Sequence, residues 1–485
     1  MERENERISD IEITVSFIKR YLGNRVTRVL LKSMVKRDEG GETELEEALR
    51  KYAGEDIKVK RWIYLAVSKT FQKLAEKFGV SEESLKESLR KPIVRRGIVN
   101  ILEGISYFGV QEPQTTAAPF LVVWNFTRMC NLRCKHCYEN AGPKPDLDEL
   151  TTEEAKRIID EFKREGVVAI AFSGGEPLMR RDFFEIAKHA SDRDFYVSVA
   201  TNGTLITPEV AKKLKEAGVQ YVEVSLDGFE KTHDEFRGIE GSWRRSVKGI
   251  KNAIAAGLDV GVATTITKYN LKEISEFLDF LEREIHPRRF IHFNFIPTGR
   301  GKDIIEADLS PREREELLDF LYQKLVDPNF KMDVLSTAPQ YAVTSLTFFD
   351  RFGGPVVATH FINQRAAEML KGKAKALAPF IGGCGAGRLY IALEPNGDVK
   401  PCVFIPIVVG NLREKSLREI WLSSPVFKKI RERKNFKEGC KSCPYLNICG
   451  GCRARAYGYF GDLQGPDPGC SINERYWDKL KEKAH

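Results

Sequence analysis

The sequence lacks any apolar run long enough to cross a bilayer, which takes about 20 consecutive apolar residues. Its first residues, Met1–Asn5, are mostly charged and contain no apolar core like that of a signal peptide. The net charge is only +8 over 485 residues. Such a charge is compatible with an anionic surface or substrate but does not require nucleic acid. These features predict a cytoplasmic protein without a nucleic-acid partner.

Residues 1–115 show the spacing of amphipathic helices. Between Arg61 and Phe78, apolar side chains recur every three or four residues, as on one face of a helix. Residues 26–37 and 91–102 mix basic with apolar residues. That mixture is typical of a helix packed on a neighbouring domain or of a helix docked at a membrane surface. A helical N-terminal region is therefore predicted, and peripheral membrane contact stays open.

From residue 118 to residue 326, β-rich runs alternate with helix-period runs. The six β-rich runs are residues 120–126, 167–172, 195–200, 221–226, 260–266 and 290–296. Strands that alternate with helices form parallel sheets, so we expect an α/β fold with a partial (β/α)6 barrel. An apolar connecting segment, residues 327–383, and a cysteine-rich region, residues 384–485, complete the predicted domain organisation.

Three of the ten cysteines, Cys130, Cys134 and Cys137, stand together directly after the first β-rich run. Active sites of such barrels lie at the carboxyl ends of the strands, where this loop would be. Three thiolates at this spacing can hold three irons of a cubane cluster and leave the fourth iron open. Zinc prefers four ligands in two pairs, and disulfide frameworks belong to small secreted chains. Neither alternative suits this triplet.

The Cys-x3-Cys-x2-Cys motif, with His136 inside it, resembles the signature of the radical S-adenosylmethionine (SAM) superfamily. The resemblance implies a [4Fe–4S] cluster whose open iron binds SAM and whose reduction yields a 5′-deoxyadenosyl radical. It also implies a low-potential electron donor such as ferredoxin or flavodoxin. His136 is included among the candidate cofactor-binding residues.

A glycine motif ends the second predicted strand. Gly174, Gly175 and Glu176 stand in Ser-Gly-Gly-Glu-Pro, and glycine lets a backbone approach a ligand closely. The segment resembles the motif of this superfamily that receives the SAM amino group. Either an exposed backbone carbonyl or the Glu176 carboxylate can accept from an ammonium.

Further candidates for SAM binding follow the later strands. Asn202, Ser225 and Asp227 end the third and fourth strands, where short polar side chains suit the ribose and carboxylate of SAM. Arg237 resembles an arginine that faces the SAM carboxylate in related enzymes, and a guanidinium fits that role. Residues 294–301 end the sixth strand, where the family holds adenine with backbone groups.

The remaining seven cysteines follow residue 383, and four of them form two Cys-x2-Cys pairs. These pairs alone are compatible with a zinc ribbon. The complete set behind such a barrel resembles the SPASM domain, which carries two auxiliary [4Fe–4S] clusters. The usual partition assigns one cluster to Cys384, Cys402 and Cys452 and the other to Cys440, Cys443, Cys449 and Cys470. Three [4Fe–4S] clusters and SAM are the expected cofactors.

The resemblance indicates the reaction class better than the substrate, and three groups of enzymes compete. Residues 450–457 and 337–341 look like the haem and haem d1 side-chain enzymes, such as the decarboxylase of iron-coproporphyrin. The basic N-terminal region and the apolar residues 335–362 instead favour a long apolar substrate. Peptide maturases are the third group.

The main prediction is carbon–carbon bond formation between isoprenoid alkyl chains, as in archaeal lipid enzymes. Oxidative decarboxylation or other modification of tetrapyrrole propionates is the first alternative, and peptide modification is the second. A non-enzymatic electron carrier is a further alternative of a different class. It is disfavoured because a carrier needs no motif for SAM.

Overall fold

A computed structural model describes residues 19–20, 22–357 and 374–483. Ten strands form one sheet within these residues. In chain order they are β1 (Leu121–Thr127), β2 (Ala169–Gly174), β3 (Tyr196–Thr201), β4 (Tyr221–Ser225), β5 (Asp259–Ile266), β6 (Arg289–Asn294), β7 (Asp333–Ser336), β8 (Tyr390–Leu393), β9 (Asp398–Lys400) and β10 (Gly410–Asn411). Their spatial order is β10-β9-β8-β1-β2-β3-β4-β5-β6-β7.

Strands β1 to β7 run parallel and neighbour one another in chain order. The ends of β1 to β6 agree with the predicted β-rich runs to within two residues. This confirms the α/β fold and the partial barrel. The sheet also extends beyond the six predicted strands: β7 comes from the connecting segment, and β8 of the cysteine-rich region pairs in parallel with β1.

The helices alternate with the strands of the barrel and make up most of the N-terminal region. In chain order they are α1 (Arg25–Met34), α2 (Glu44–Tyr52), α3 (Arg61–Phe78), α4 (Glu82–Leu89), α5 (Pro92–Phe108), α6 (Thr152–Glu165), α7 (Phe183–Ser191), α8 (Pro208–Glu216), α9 (Glu230–Arg237), α10 (Ser242–Ala255), α11 (Ile274–Phe280), α12 (Pro311–Val326), α13 (Tyr341–Phe352), α14 (Ala374–Ile381), α15 (Leu417–Ser423), α16 (Pro425–Arg431), α17 (Glu438–Lys441), α18 (Arg453–Phe460) and α19 (Glu474–Lys483).

Helix α6 illustrates how the sequence determines these elements. Thr151 and Glu154 form a capping box at its start, and Gly166 ends it with φ of 83°. The apolar side chains between them, Ile158 and Phe162 among them, are fully buried against the sheet. Burial of each such side chain contributes roughly 1.5–3 kcal/mol.

The barrel strands alternate between two buried faces, as their period of two requires. On β1, Trp124 and Phe126 belong to the core beneath the surrounding helices. Leu121 and Val123 point the other way and line a cavity inside the barrel. The inward positions therefore define the space in which a ligand can lie.

The helices α2 to α5 build a core of their own in the N-terminal region. Arg95 and Arg96 of α5, which belong to a segment that could have faced a membrane, are buried. Arg96 donates to the backbone oxygens of Arg193 and Asp194, at the amino end of β3. This segment is thus packed on the barrel, as the first of the two interpretations expects. Among the described residues, no helix combines the length and apolarity required to cross a membrane.

The apolar segment 335–362 contributes some residues to the cavity lining and others to the packing between helices. Leu335 lines the cavity. Tyr341 is buried against Tyr322 of α12, and Leu346 packs with Ala378 of α14. Residues 358–362 lie outside the described residues.

Candidate active site

One cavity of about 650 Å³ occupies the inside of the barrel and reaches the three-cysteine loop Cys130–Cys137. The candidate SAM-binding residues that line it are His136, Gly174, Gly175, Asn202, Ser225, Arg237 and Asn294. Glu176 and Asp227 lie behind this lining and are fully buried. The strand ends therefore bring together most of the residues that the sequence singles out.

The backbone of Gly174 and Gly175 passes too close to the three-cysteine loop for a side chain. A Cβ on Gly175 would lie 2.3 Å from the carbonyl oxygen of Met129, and Gly174 has φ of 113°. The amide of Glu176 donates to the same Met129 oxygen at 2.8 Å. Glycine at both positions thus allows β2 to bind directly against the loop while exposing its own backbone to the cavity.

Both carboxylate oxygens of Glu176 are used inside the protein. Oε1 accepts from the Thr201 hydroxyl at 2.8 Å, and Oε2 accepts from the Asn202 amide at 2.8 Å. Burial raises the pKa of Glu176, and these hydrogen bonds oppose that shift. In this structure Glu176 ties the ends of β2 and β3 together. The backbone of Gly174 and Gly175, which lines the cavity, stays the candidate to receive an ammonium.

Arg237 lies between a buried carboxylate and a cysteine of the loop. Its Nε donates to Oδ2 of Asp227 at 2.6 Å, and its Nη1 lies 3.6 Å from Sγ of Cys134. Burial opposes the charge of Arg237, but Asp227 and Cys134 together outweigh that effect and the pKa of Arg237 is raised. Asp227 also accepts from the Thr265 amide at 2.8 Å, which fixes its orientation. A permanent positive charge is thereby held at the cysteine loop.

Asn202 connects the loop to β3. Its Nδ2 donates to Oδ1 of Asn131 at 2.7 Å, and its Oδ1 accepts from the Thr204 amide at 2.9 Å. Ser225, at the end of β4, lines the cavity beside it. His136 stacks on Phe236 with ring centroids 4.1 Å apart, and burial lowers its pKa well below the ordinary value.

The segment after β6 covers the loop from the other side. Arg300 donates Nε to the carbonyl oxygen of Cys134 and its amide to that of Cys137, both at 2.9 Å. Gly299 allows this approach, because a Cβ there would lie 2.3 Å from the Cys137 oxygen. Arg300 was not among the predicted site residues. Its position within residues 294–301 was the available signal, but its role depends on a contact distant in sequence.

The seven C-terminal cysteines fall into two groups in space. One group lines the large cavity and consists of Cys384, Cys402 and Cys452. The other lines a separate cavity of about 30 Å³ and consists of Cys440, Cys443, Cys449 and Cys470. These groups match the partition that the resemblance implies. The assignment of each thiol to a cluster stays a prediction.

The buried cysteine thiols are shielded from solvent and are suited to bind a metal. Burial raises the pKa of Cys130, Cys402 and Cys470 to about 12. Cysteine binds iron as a thiolate, so a cluster must replace the protons that burial retains. At the first loop the charge on Arg237 and the Leu132 amide, 3.4 Å from Sγ of Cys130, stabilise thiolates. Three thiols converge on a cavity that also exposes the backbone of β2, which fits a cluster with SAM beside it.

Within the described residues, no three His, Cys, Asp or Glu side chains surround a point as ligands of a single metal ion do. A four-iron cluster spreads its ligands around a larger body. The grouping of cysteines around the two cavities is therefore the relevant observation for this chain.

A buried polar network, absent from the predicted site, joins the first loop to the cysteine-rich region. Nδ2 of Asn125 donates to Glu139 at 2.7 Å and to Glu394 at 2.9 Å. Arg128 bridges the same two carboxylates, and Lys400 pairs with Glu394 at 2.8 Å. Burial, and then Glu394, raise the pKa of Glu139 to about 7. The network sets the position of β8 and β9 relative to the loop.

Comparisons with known proteins identify the families of the barrel and of the cysteine-rich region. Residues 124–281 match the radical SAM superfamily, and residues 384–444 match the SPASM iron–sulfur cluster-binding domain. The chain is 36% identical to an AdoMet-dependent heme synthase of Methanosarcina barkeri, covering 73% of this chain and 97% of that protein. It is 33% identical to the mycofactocin maturase MftC of Mycolicibacterium smegmatis, covering 73% and 83% of the two chains.

Among solved structures, the fold resembles Streptococcus suis SuiB bound to S-adenosylmethionine. The TM-score is 0.60 at 19% identity, over 89% of this chain and 93% of SuiB. Family membership implies a [4Fe–4S] cluster that works with SAM, together with auxiliary iron–sulfur clusters. The chain is an iron–sulfur enzyme that belongs to the radical SAM superfamily and carries a SPASM domain.

Proposed function

We propose that this enzyme modifies the propionate side chains of an iron tetrapyrrole, most simply by oxidative decarboxylation. The observation that carries the proposal is the 36% identity to a heme synthase over 97% of its length. The cavity supports it in a second way. Cysteines of the first loop and Cys384, Cys402 and Cys452 line the same space, so one substrate can lie against both sites.

The cluster and SAM together would supply a 5′-deoxyadenosyl radical in the cavity. The chain's own residues would hold the reactants: the Gly174–Gly175 backbone lines the cavity and would receive the SAM amine, and Arg237 places a positive charge beside Cys134. In the reaction a propionate loses a hydrogen atom from its β-carbon, one electron and carbon dioxide, and a vinyl group remains. Cys384, Cys402 and Cys452 line the same cavity, and a cluster that they held would accept that electron.

The haem alternative thus fits better than the lipid prediction. The relatives named above are a heme synthase and a mycofactocin maturase, and neither name refers to a lipid. One basis of the lipid prediction was the N-terminal mixture of basic and apolar residues. Helix α5 does not support that argument, because its Arg95 and Arg96 are buried and donate to backbone carbonyls instead of facing a membrane. Neither membrane contact nor joining of alkyl chains is supported.

The test uses the reconstituted enzyme under anaerobic conditions with SAM, a reductant and iron-coproporphyrin III. We also propose that a ferredoxin or flavodoxin supplies the electron in the cell. The expected result is 5′-deoxyadenosine together with a porphyrin that has lost one carbon dioxide and two hydrogens per vinyl group. A wild-type enzyme that cleaves SAM and leaves the porphyrin unchanged contradicts the proposal.

Peptide modification is a second candidate, favoured by the 33% identity to a mycofactocin maturase. Precursor-peptide substrates replace the porphyrin in the same assay. A peptide product with an unchanged porphyrin would select this candidate.

A further inference from the structure

The cavity continues from the SAM end of the barrel to the opposite end of the strands. Small inward side chains, including Ala169, Ala171 and Ser198, leave this passage open. At the amino ends of the strands it is lined by a set of polar residues that we call the floor cluster: Tyr196, Tyr221, Glu223, Asp259 and Arg289. Tyr221 and Ser225 are the first and last residues of β4, so about 13 Å separates the floor from the SAM end.

The floor cluster contains polar atoms that nothing in the protein satisfies. Among the described residues, the hydroxyl of Tyr221, Oδ1 of Asp259 and Nε of Arg289 are buried without a hydrogen-bond partner. Buried polar atoms are normally paired, so unpaired atoms in residues that line one cavity point to a missing ligand or water. Two of the three, the Tyr221 hydroxyl and the Arg289 Nε, can donate to an anion.

The charges in and around the floor cluster favour an anionic ligand. Arg289 donates to Asp259 at 2.8 Å, and Arg288, with 47% of its side chain exposed, lies 3.8 Å from the same carboxylate. Two guanidinium groups therefore share one close carboxylate partner. Glu223 lines the cavity nearby, and burial raises its pKa to about 7 despite the attraction of Arg289. The raised pKa of Glu223 weakens the repulsion that this carboxyl would exert on an anion around neutral pH.

The side chains around Tyr221 are closely packed, and a glycine leaves room for them. Gly261 of β5 faces the same end, and a Cβ there would lie 2.0 Å from the Tyr221 hydroxyl oxygen and 2.9 Å from Cγ of Arg289. The Arg289 guanidinium lies over the Tyr221 ring at 4.5 Å from its centroid. Glycine at position 261 therefore leaves the room that the Tyr221 hydroxyl and the Arg289 side chain occupy at the floor of the cavity.

We propose that the floor cluster binds a carboxylate of the substrate at the end of the barrel opposite the SAM site. The inference rests on the proposed function, because it assigns one propionate of a tetrapyrrole to the floor while another faces the SAM end. Arginine is suited to such a role, since its planar group matches a carboxylate with two parallel hydrogen bonds. The floor then selects substrates that carry two or more separated carboxylates.

The experiment measures binding of iron-coproporphyrin III and of its tetramethyl ester to the SAM-loaded, reconstituted enzyme by Soret absorbance titration. We expect wild type to bind the acid at least tenfold more tightly than the ester. Arg289→Gln should weaken binding of the acid at least tenfold and leave binding of the ester unchanged. Arg283→Gln, which changes an exposed arginine elsewhere, should bind both porphyrins as wild type does.

A second variant guards against misfolding, since Arg289→Gln also removes the partner of Asp259. Tyr221→Phe removes only an unpaired hydroxyl, and iron content and thermal unfolding verify that each variant is folded. We expect Tyr221→Phe to lose about threefold to tenfold in affinity for the acid alone. If the folded variants bind the acid as wild type does, the floor site is overturned and the proposed function stands. If wild type binds neither porphyrin, both proposals fall.

Discussion

Arg237 donates its Nε to Oδ2 of Asp227 at 2.6 Å, and both side chains are buried. The same guanidinium reaches to 3.6 Å from Sγ of Cys134. The carboxylate compensates a charge that burial alone would penalise, and that charge in turn stabilises a thiolate. The two residues therefore act on the cluster site as one unit, although only Arg237 lines the cavity.

Asp227→Asn should destabilise the protein by about 3 kcal/mol, because removing one partner leaves a buried charge uncompensated. We also expect a lower rate of SAM cleavage, since Arg237 loses the group that orients it. Thermal unfolding and 5′-deoxyadenosine formation measure the two effects. The control is Asp279→Asn, whose partly exposed pair with Lys324 is worth less than about 1 kcal/mol. Equal losses in both variants would contradict the assigned role.

Gly175→Ala should abolish SAM cleavage and lower the iron content. The new methyl group would lie 2.3 Å from the Met129 carbonyl oxygen, so the loop or β2 must move. Gly142→Ala is a matched control in the same loop region, since a Cβ there meets nothing within 4 Å. Iron analysis and 5′-deoxyadenosine formation decide the outcome. Wild-type behaviour of Gly175→Ala would show that the close approach is not required.

The two cysteine sites on the cavity should separate in function. Cys134→Ala is expected to abolish SAM cleavage, whereas Cys402→Ala is expected to keep SAM cleavage and lose the porphyrin product. Each variant should lose about a third of the iron if three four-iron clusters are present. Assays of 5′-deoxyadenosine, product and iron on the same preparations test this. Full product formation by Cys402→Ala would exclude a role of that site in the reaction.

The carboxyl of Glu223, which lies inside the barrel, should make the free energy of unfolding depend on pH. Its pKa is raised from 4.5 to about 7, so the folded protein keeps a proton that the unfolded chain releases. The contribution of this proton to the free energy of unfolding is complete below about pH 4.5 and is lost as the pH rises through about 7. Glu223→Gln has no such loss. Relative to wild type, its free energy of unfolding should rise by about 1–3 kcal/mol as the pH increases from about 4.5 to about 7.

Thermal unfolding of wild type and Glu223→Gln at about pH 5 and about pH 8 provides the measurement. The exposed Glu216→Gln is the control and should follow wild type at both values. A difference between wild type and Glu223→Gln that stays constant with pH would refute the prediction.

Local patterns predicted the repeated part of the fold well. The six barrel strands were found to within two residues because each is a β-rich run bounded by helix-period sequence. The added strands β7 and β8 have four residues each, too few to show a period. The pairing of β8 with β1 joins Leu121 to Tyr390, and no local pattern reports such a distant partner.

The candidate site divides along the same line. The cysteines, Gly174 and Gly175 were identifiable because their chemistry and spacing are local. Glu176 was singled out as part of the motif, but only the structure shows that Thr201 and Asn202 use its oxygens. Arg289 and Glu223 were not singled out, since a charged residue within a strand gives no sign of which side of a barrel it faces.

The parallel pairing of β8 with β1 has a consequence for how the enzyme can be divided. A chain cut at the boundary between the barrel and the cysteine-rich region would leave β1 as an open sheet edge, which invites aggregation. It would also remove Glu394 from the buried network, so that Asn125 would lose one of its two carboxylate acceptors and keep only Glu139. The two regions, although separate as sequence families, are therefore one folding unit, and exchanging the SPASM region between relatives requires a matched first strand.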